Sequence, residues 1–316
     1  MGNRIMGWFG NIFKKKSKKH IVQKTIDINY SSSISVITPN EKLSEDYINA
    51  VFLNWAQYGY EIFSNNDKYP RWTSYKLYLT DPKNKHKQLV QDGYLTIAPI
   101  NIALEKLRVA ELKSILNQYN LLAKGKKDEL INRIINNVDA SSLNLPKHYV
   151  LSDKGSKYLD EHEDLVAVCW NRYNISFTEY EETRLTMPKA KLNDIFWHIF
   201  QVRYDTYFIN QEWGSLRCNE LHRALLLKSE NNNKEALYYY ILVTYYDLSG
   251  CGNGNAIEEK EYVEAVPSIL IEIHKLGEFY EERMIDRCYK NYLPHHYMNK
   301  EDFRMFIKEI IKEYQQ

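Results

Sequence analysis

The sequence predicts a mainly α-helical protein with a small portion of mixed helix and strand. Only 12 glycines and 8 prolines occur among the 316 residues, which favours long helices over a turn-rich β architecture. Apolar residues recur at three- and four-residue intervals along much of the chain, the spacing that gives a helix one buried face. A hydrophobic content of 44% is typical of globular proteins. A chain of this length is expected to form two or three domains.

The amino-terminal stretch, residues 1–43, is predicted to be a basic tail and linker. Its first 24 residues carry seven basic side chains and no acidic one. Within it, the segment 5–19 places apolar residues such as Trp8 and Phe9 before a lysine cluster. This pattern is typical of a solvated tail, of a segment that lies on an anionic membrane surface, or of an arm that supports nucleic-acid binding. The three alternatives stay open at this point.

Residues 44–102, together with 146–163, are predicted to form a small platform. Ser44 is a candidate N-cap for a first helix, because its hydroxyl can accept a hydrogen bond from an amide of the first turn. Asp81 followed by Pro82 is the usual start of another helix, with the carboxylate as cap and the proline at the first helical position. The platform is therefore expected to begin with capped helices.

Two short strands are expected to complete this platform. Residues 93–97 are predicted to form one strand, and the segment 148–159 a second strand that runs into a capped helix. The order of these elements, a helix, a strand, a returning strand and a second helix, resembles the closing part of winged-helix domains. This resemblance would place the residues between the two strands at the wing. Alternatively, both pieces form a plain platform on which the hairpin docks.

The segment 104–138 is predicted to form two short helices joined by a turn. The apolar residues expected on the buried faces are Val109, Leu112 and Leu116 in the first helix and Leu130, Ile131 and Ile134 in the second. Between the helices, Asn120 and Gly125 tolerate a positive φ. Leu121 and Leu122 are expected to fill the space between the helices. The segment is therefore a compact helical hairpin.

The charges of the hairpin predict an anion site at its turn. The segment 104–138 holds seven basic and four acidic residues, and three of the lysines cluster where the second helix begins. The start of a helix presents unpaired N–H groups and a positive dipole end, which suit phosphate. The candidate nucleic-acid-binding residues are Lys113, Lys124, Gly125, Lys126, Lys127 and Arg133.

The hairpin resembles the SAP domain, a small DNA-binding module of helix, extended turn and helix. The resemblance is carried by Leu107-x-Val109-x-x-Leu112-Lys113-x-x-Leu116, by Leu121, and by Gly125-Lys126-Lys127-x-Glu129-Leu130-Ile131-x-Arg133-Ile134. Lys124 departs from the family, which often has a hydroxyl residue before the glycine; the lysine removes a helix cap and adds a cation. The resemblance covers residues 103–140 and implies weak, largely nonspecific contact with the DNA backbone. A basic hairpin that only packs against its neighbours is the alternative.

The carboxyl-terminal part, residues 164–316, is predicted to be an all-helical protein-interaction domain. Its apolar residues keep helical spacing, and the helix pairs around 221–248 resemble tetratricopeptide-like (TPR-like) packing. No clean 34-residue period is present, so a bundle and a short solenoid both remain open.

No catalytic motif or cofactor site is predicted. The segment 241–254 resembles the glycine-rich loop of methyltransferases that bind S-adenosylmethionine, but Ser249 breaks the spacing and the residues before it suit a helix. We therefore interpret it as a loop that ends a helix. His295 and His296 are expected to lie in a loop, and the four cysteines form no C-x-x-C pair.

These observations lead to one leading hypothesis and one alternative. The leading hypothesis is a non-enzymatic DNA-binding protein of bacterial or phage type, suggested by a composition rich in Lys, Asn, Ile and Tyr, that is cytoplasmic and associated with the nucleoid. The alternative is a cytoplasmic interaction scaffold that contacts an anionic membrane through residues 5–19. No cofactor or metal is expected, and no apolar run approaches the length that spans a bilayer.

Overall fold

The computed structural model describes residues 43–252, 254–291, 293 and 296–313. The expectations for the tail and linker, for the membrane segment 5–19 and for His295 lie outside these residues. The described part holds 15 α-helices and a three-stranded sheet, so the predicted mainly α fold class is confirmed. Contacts divide the chain into two units, here called the amino-terminal unit (Glu41–Asn171 with Ser176–Thr178) and the carboxyl-terminal unit (Arg172–Ile175 with Glu179–Gln316).

The amino-terminal unit contains eight helices and three short strands within the described residues. In chain order they are α1 (Glu45–Ala56), β1 (Tyr60–Glu61), α2 (Trp72–Tyr75), α3 (Pro82–Gln91), β2 (Leu95–Ile97), α4 (Ile100–Lys106), α5 (Val109–Gln118), α6 (Lys127–Asn137), β3 (His148–Leu151), α7 (Asp153–Glu161) and α8 (Glu163–Cys169). Helices α5 and α6 are the predicted hairpin, and they lie in sequence between the paired strands β2 and β3.

The sheet is antiparallel, with strand order β1-β3-β2. Leu95 pairs with Leu151, and Tyr60 pairs with Tyr149 on the other side of β3. Both strands that the sequence predicts are therefore present, while β1 was missed because two residues give no alternating pattern. The likeness of this arrangement to a winged-helix domain stays a prediction.

Local caps begin the helices of this unit as the sequence predicts. The Ser44 hydroxyl accepts a hydrogen bond from the Tyr47 amide at 3.1 Å, and Asp81 accepts one from Asn84 at 2.9 Å. Ser152 caps α7, and its hydroxyl also donates to the Gly93 carbonyl at 2.6 Å. The last bond joins the start of α7 to the turn before β2.

The core of the platform is aromatic and surrounds a buried histidine. His86 on α3 is fully buried against the rings of Phe52, Trp55, Tyr69 and Tyr149. Its Nδ1 lies 3.2 Å from the Tyr69 hydroxyl. Burial lowers the pKa of His86 to about 4, because the charged form loses its hydration. The ring is therefore neutral at physiological pH.

The remaining helices, apart from the start of α9, belong to the carboxyl-terminal unit. They are α9 (Phe177–Thr186), α10 (Leu192–Ile209), α11 (Trp213–Ser229), α12 (Asn233–Asp247), α13 (Pro267–Lys275), α14 (Arg283–Cys288) and α15 (Lys300–Glu313). Helix α11 packs against both α10 and α12, and α12 is buried along most of its length. The all-helical character is as predicted for the described residues of this unit, and its likeness to tetratricopeptide repeats stays a prediction.

The segment that resembles a methyltransferase loop ends a helix, as interpreted. Its residues before Asp247 belong to α12, whereas that enzyme class would need a strand there. The loop that follows packs against the start of α11, where Asn255 Oδ1 accepts a hydrogen bond from the Ser215 amide at 3.1 Å. A side chain at Gly214 would collide with the Gly254 carbonyl. The glycines here serve close packing of the backbone.

Candidate nucleic-acid interface

The hairpin has a small apolar core of its own, which also takes in the end of α4. Its buried residues are Leu104, Leu112, Leu116, Leu130, Ile131, Ile134 and Val138. They come from three consecutive helices and from Val138, the residue after α6, so α4 closes one side of the hairpin. The core of the hairpin thus includes α4, of which only the last residues belong to the predicted segment 104–138.

Two residues of the predicted core are exposed. Val109 is 41% exposed, and Leu107, two residues earlier, packs against the core in its place. Val109 is the first residue of α5, and its side chain lies outside the core that the other apolar residues of the hairpin form. Leu122 is 66% exposed whereas Leu121 packs against the core, because neighbouring residues of an extended turn point to opposite sides. The prediction of burial was wrong for Val109 and Leu122.

The turn uses the two positions that the sequence identified. Asn120 has a φ of 54° and Gly125 a φ of 133°. A Cβ atom at Gly125 would also collide with the carboxylate of Glu129. Glycine is therefore required at this position both for its backbone conformation and for the close approach of an acidic side chain.

That acidic side chain occupies part of the predicted anion site. Glu129 Oε2 accepts a hydrogen bond from the Lys126 amide at 3.2 Å. At the start of α5, Glu111 Oε2 likewise accepts a hydrogen bond from the amide of Arg108, the N-cap residue, at 2.6 Å. A glutamate three residues into a helix commonly reaches back to the N-cap in this way. The expectation of an unpaired amide was therefore wrong for Lys126. The turn also offers cationic side chains to an anion.

Arg133 is directed at the turn itself. Its Nη1 donates to the Leu122 carbonyl and to the Lys124 carbonyl, the latter at 3.0 Å. The side chain is half-buried and reaches from the middle of α6 to the backbone of the extended turn. Arg133 thus fixes the path of the chain between Leu122 and Lys124, a role for which the sequence gives no signal.

The lysines of the candidate site differ in how they are held. Lys113, Lys124 and Lys126 are exposed, and no acidic side chain of the described residues forms an ion pair with any of them. Lys127 is half-buried, and its Nζ donates to the Glu105 carbonyl at 2.6 Å. Three lysines are therefore available to an anion, while the fourth also joins α6 to the end of α4.

Lys106 lies beside this contact and was not among the predicted site residues. It follows Glu105 and ends α4. Its Nζ donates to the Tyr58 carbonyl at 2.7 Å and lies 5.0 Å from the centre of the Tyr60 ring. Its charge is one of the seven basic charges of segment 104–138, but the sequence gives no signal for its neighbours, because Tyr58 is 48 positions away along the chain.

Neither a metal centre nor a membrane span is found in the part of the chain that the structure describes. No group of three or more His, Cys, Asp or Glu side chains there is arranged to hold a metal ion. Among the same residues, no helix combines the length and apolar character that a bilayer crossing requires.

Comparison with known proteins identifies the hairpin. No curated protein and no solved structure matches the chain. One family model does match, over a segment that contains α5, the turn and α6 and is well short of half the chain. A match to this family suggests binding to DNA or another nucleic acid. Residues 103–139 match the SAP domain, which confirms the resemblance for this segment.

Proposed function

We propose that this protein is a non-enzymatic DNA-binding protein whose hairpin contacts the phosphate backbone. The observation that carries the proposal is the set of three exposed lysines, Lys113, Lys124 and Lys126, on a segment that matches the SAP domain. Lysine ammonium groups without acidic partners keep their full charge for phosphate. The turn that presents two of them is held in place by Arg133 and Gly125.

The expected contacts give affinity without reading sequence. Lysines bind phosphate oxygens as point charges, and such contacts position a protein on a duplex without distinguishing bases. If roughly three to five phosphates are neutralised, the logarithm of the affinity falls against the logarithm of salt concentration with a slope of about −3 to −4.5. Binding should therefore be weak at physiological salt and largely nonspecific.

Fluorescence anisotropy of the full chain with a labelled duplex tests this proposal. The test variant is Lys124→Glu with Lys126→Glu, two changes on the exposed surface of the turn. The matched control is Lys189→Glu with Lys260→Glu, which makes the same charge change at exposed lysines of the carboxyl-terminal unit. Each lost phosphate contact costs about eightfold in affinity at 0.1 M salt, so the test variant should lose about 60-fold or more.

Equal affinity of the test and control variants would contradict the proposal. The hairpin would then be a packing module, and the alternative of an interaction scaffold would take precedence. Vesicles containing anionic lipid would test the membrane contact of residues 5–19 directly, since deletion of that segment should abolish their binding.

The finer features of the proposal rest on the sequence. We assign the amino-terminal unit a winged-helix-like arrangement with the hairpin inserted at the wing, since the hairpin lies between β2 and β3. We assign the carboxyl-terminal unit to protein contact through TPR-like helix pairs. A bacterial or phage origin and a cytoplasmic, nucleoid-associated location fit a DNA-binding role. Pull-down with the carboxyl-terminal unit as bait tests the second assignment.

A further inference from the structure

The end of α4 packs closely against the turn that follows α1. Lys106 Nζ donates to the Tyr58 carbonyl at 2.7 Å. Gly59 has a φ of 75°, and a Cβ atom there would lie 2.6 Å from Cγ2 of Ile102 on α4. The backbone at Tyr58 and Tyr60 is therefore positioned by α4. We call the surface formed by Tyr58, Tyr60 and Lys106 the tyrosine edge.

The tyrosine edge adjoins the turn of the hairpin. Lys127, the first residue of α6, donates from Nζ to the Glu105 carbonyl, one residue before Lys106. One hydrogen bond thus joins the hairpin to α4, and the next joins α4 to Tyr58. Lys127 and Tyr58 are therefore linked through two consecutive residues of α4.

The two tyrosines of the edge differ in what covers them. Tyr60 stacks on Trp55 with ring centres 4.5 Å apart and planes 10° apart, and Lys106 lies over the Tyr60 ring. Tyr58 is 64% exposed, and among the described residues no other ring stacks on it. The structure therefore holds Tyr60 in place and presents the ring of Tyr58 to solvent.

The charges at the edge favour a base over a phosphate as its ligand. Lys106 is the one basic residue of the tyrosine edge. Glu105 precedes it in the chain, and Glu61 follows Tyr60 on β1. The edge thus lacks the surplus positive charge that a phosphate contact needs. An exposed aromatic ring beside a phosphate-binding surface is instead suited to stacking on an unpaired base.

We propose that the tyrosine edge binds an unpaired base next to the duplex that the hairpin holds. The ligand class is a duplex with a single-stranded tail, as occurs at ends, nicks with flaps and junctions. The inference rests on the proposed function, because the hairpin must bring the nucleic acid to this surface. It adds a preference for DNA structure that phosphate contacts alone do not give.

Anisotropy with three labelled DNA ligands tests the inference: a blunt duplex, the same duplex with a tail of about six unpaired nucleotides, and the tail alone. The wild-type chain should bind the tailed duplex at least about fivefold more tightly than the blunt one, since one stacked base contributes that much. Tyr58→Ala should remove this preference and leave blunt-duplex affinity unchanged. Tyr58→Phe should retain it because the ring is kept.

A matched control is Tyr262→Ala, which removes a tyrosine that is 70% exposed in the carboxyl-terminal unit and should change neither affinity. Equal binding of tailed and blunt duplex by the wild type would overturn the inference, as would a tail preference that survives Tyr58→Ala. The hairpin variant Lys124→Glu with Lys126→Glu separates the two proposals. If blunt-duplex affinity falls in that variant but Tyr58→Ala has no effect on tail preference, only the inference fails.

Discussion

Replacement of Arg133 distinguishes a residue that positions the turn from one that contacts phosphate. The guanidinium donates two hydrogen bonds to the carbonyls of Leu122 and Lys124, so Arg133→Gln should loosen the turn while leaving the exposed lysines in place. Binding must then order a turn that is pre-ordered in the wild type, and this ordering weakens affinity. We therefore expect weaker binding with an unchanged number of phosphate contacts.

The expected loss in hairpin stability follows from the two hydrogen bonds of Arg133 and from their exposure to solvent. A hydrogen bond from a charged donor contributes about 1.5–3 kcal/mol when buried, but both carbonyls here lie near solvent and regain water when the arginine is lost. A total loss of about 1–2 kcal/mol in hairpin stability is therefore expected. Binding must restore this free energy, so duplex affinity should fall by about fivefold to 30-fold, since 1.4 kcal/mol corresponds to a factor of ten.

The assay is a titration of wild type and Arg133→Gln against a duplex at four salt concentrations. A positioning role predicts parallel lines in the plot of log affinity against log salt. A direct phosphate contact predicts that the slope becomes shallower by about 0.9. The control Arg71→Gln removes an exposed arginine outside the hairpin and should change neither slope nor intercept. A shallower slope for Arg133→Gln would refute the positioning role.

Three further predictions concern single residues. Glu129→Gln keeps an acceptor for the Lys126 amide but removes a negative charge beside the turn, so duplex affinity measured at low salt should rise by about threefold and converge with wild type at high salt. Gly125→Ala should lower the free energy of unfolding, measured with urea, by about 1–3 kcal/mol, because a Cβ atom is strained at a φ of 133° and meets Glu129. His86 has a pKa of about 4 when folded and 6.5 when unfolded, so the unfolded chain binds the extra proton between these values and stability falls as the pH is lowered through that window. The total loss should be about 3 kcal/mol, and urea unfolding at pH 7, 5 and 4 should show a smaller loss for His86→Gln.

Local patterns predicted the hairpin and most of its turn. Helical spacing placed Leu112, Leu116 and Leu130 in the core, and the turn residues Asn120 and Gly125 adopt the positive φ expected of them. The same reasoning failed where an apolar residue has no partner helix, as at the exposed Val109. Spacing reports which face of a helix is apolar, but burial also requires another element to cover that face.

The electrostatics of the turn were only partly predictable. The cluster of lysines is evident in the sequence, whereas the carboxylate of Glu129 at the Lys126 amide depends on the N-cap geometry of α6. A glutamate three residues after the N-cap is a recognisable signal, and it could have been used here. The contacts of Arg133 with the turn carbonyls had no such signal.

The sequence by itself determined the caps at Ser44 and Asp81, the helical hairpin and its match to the SAP domain, because each depends on residues within a few positions of one another. Only the tertiary structure decided that Lys127 reaches the end of α4 and that Lys106 reaches Tyr58, residues 48 positions apart. Such contacts depend on how separate helices pack, and packing is set by the shapes and volumes of many side chains together. The position of the exposed lysines next to a tyrosine edge is therefore a property of the folded chain.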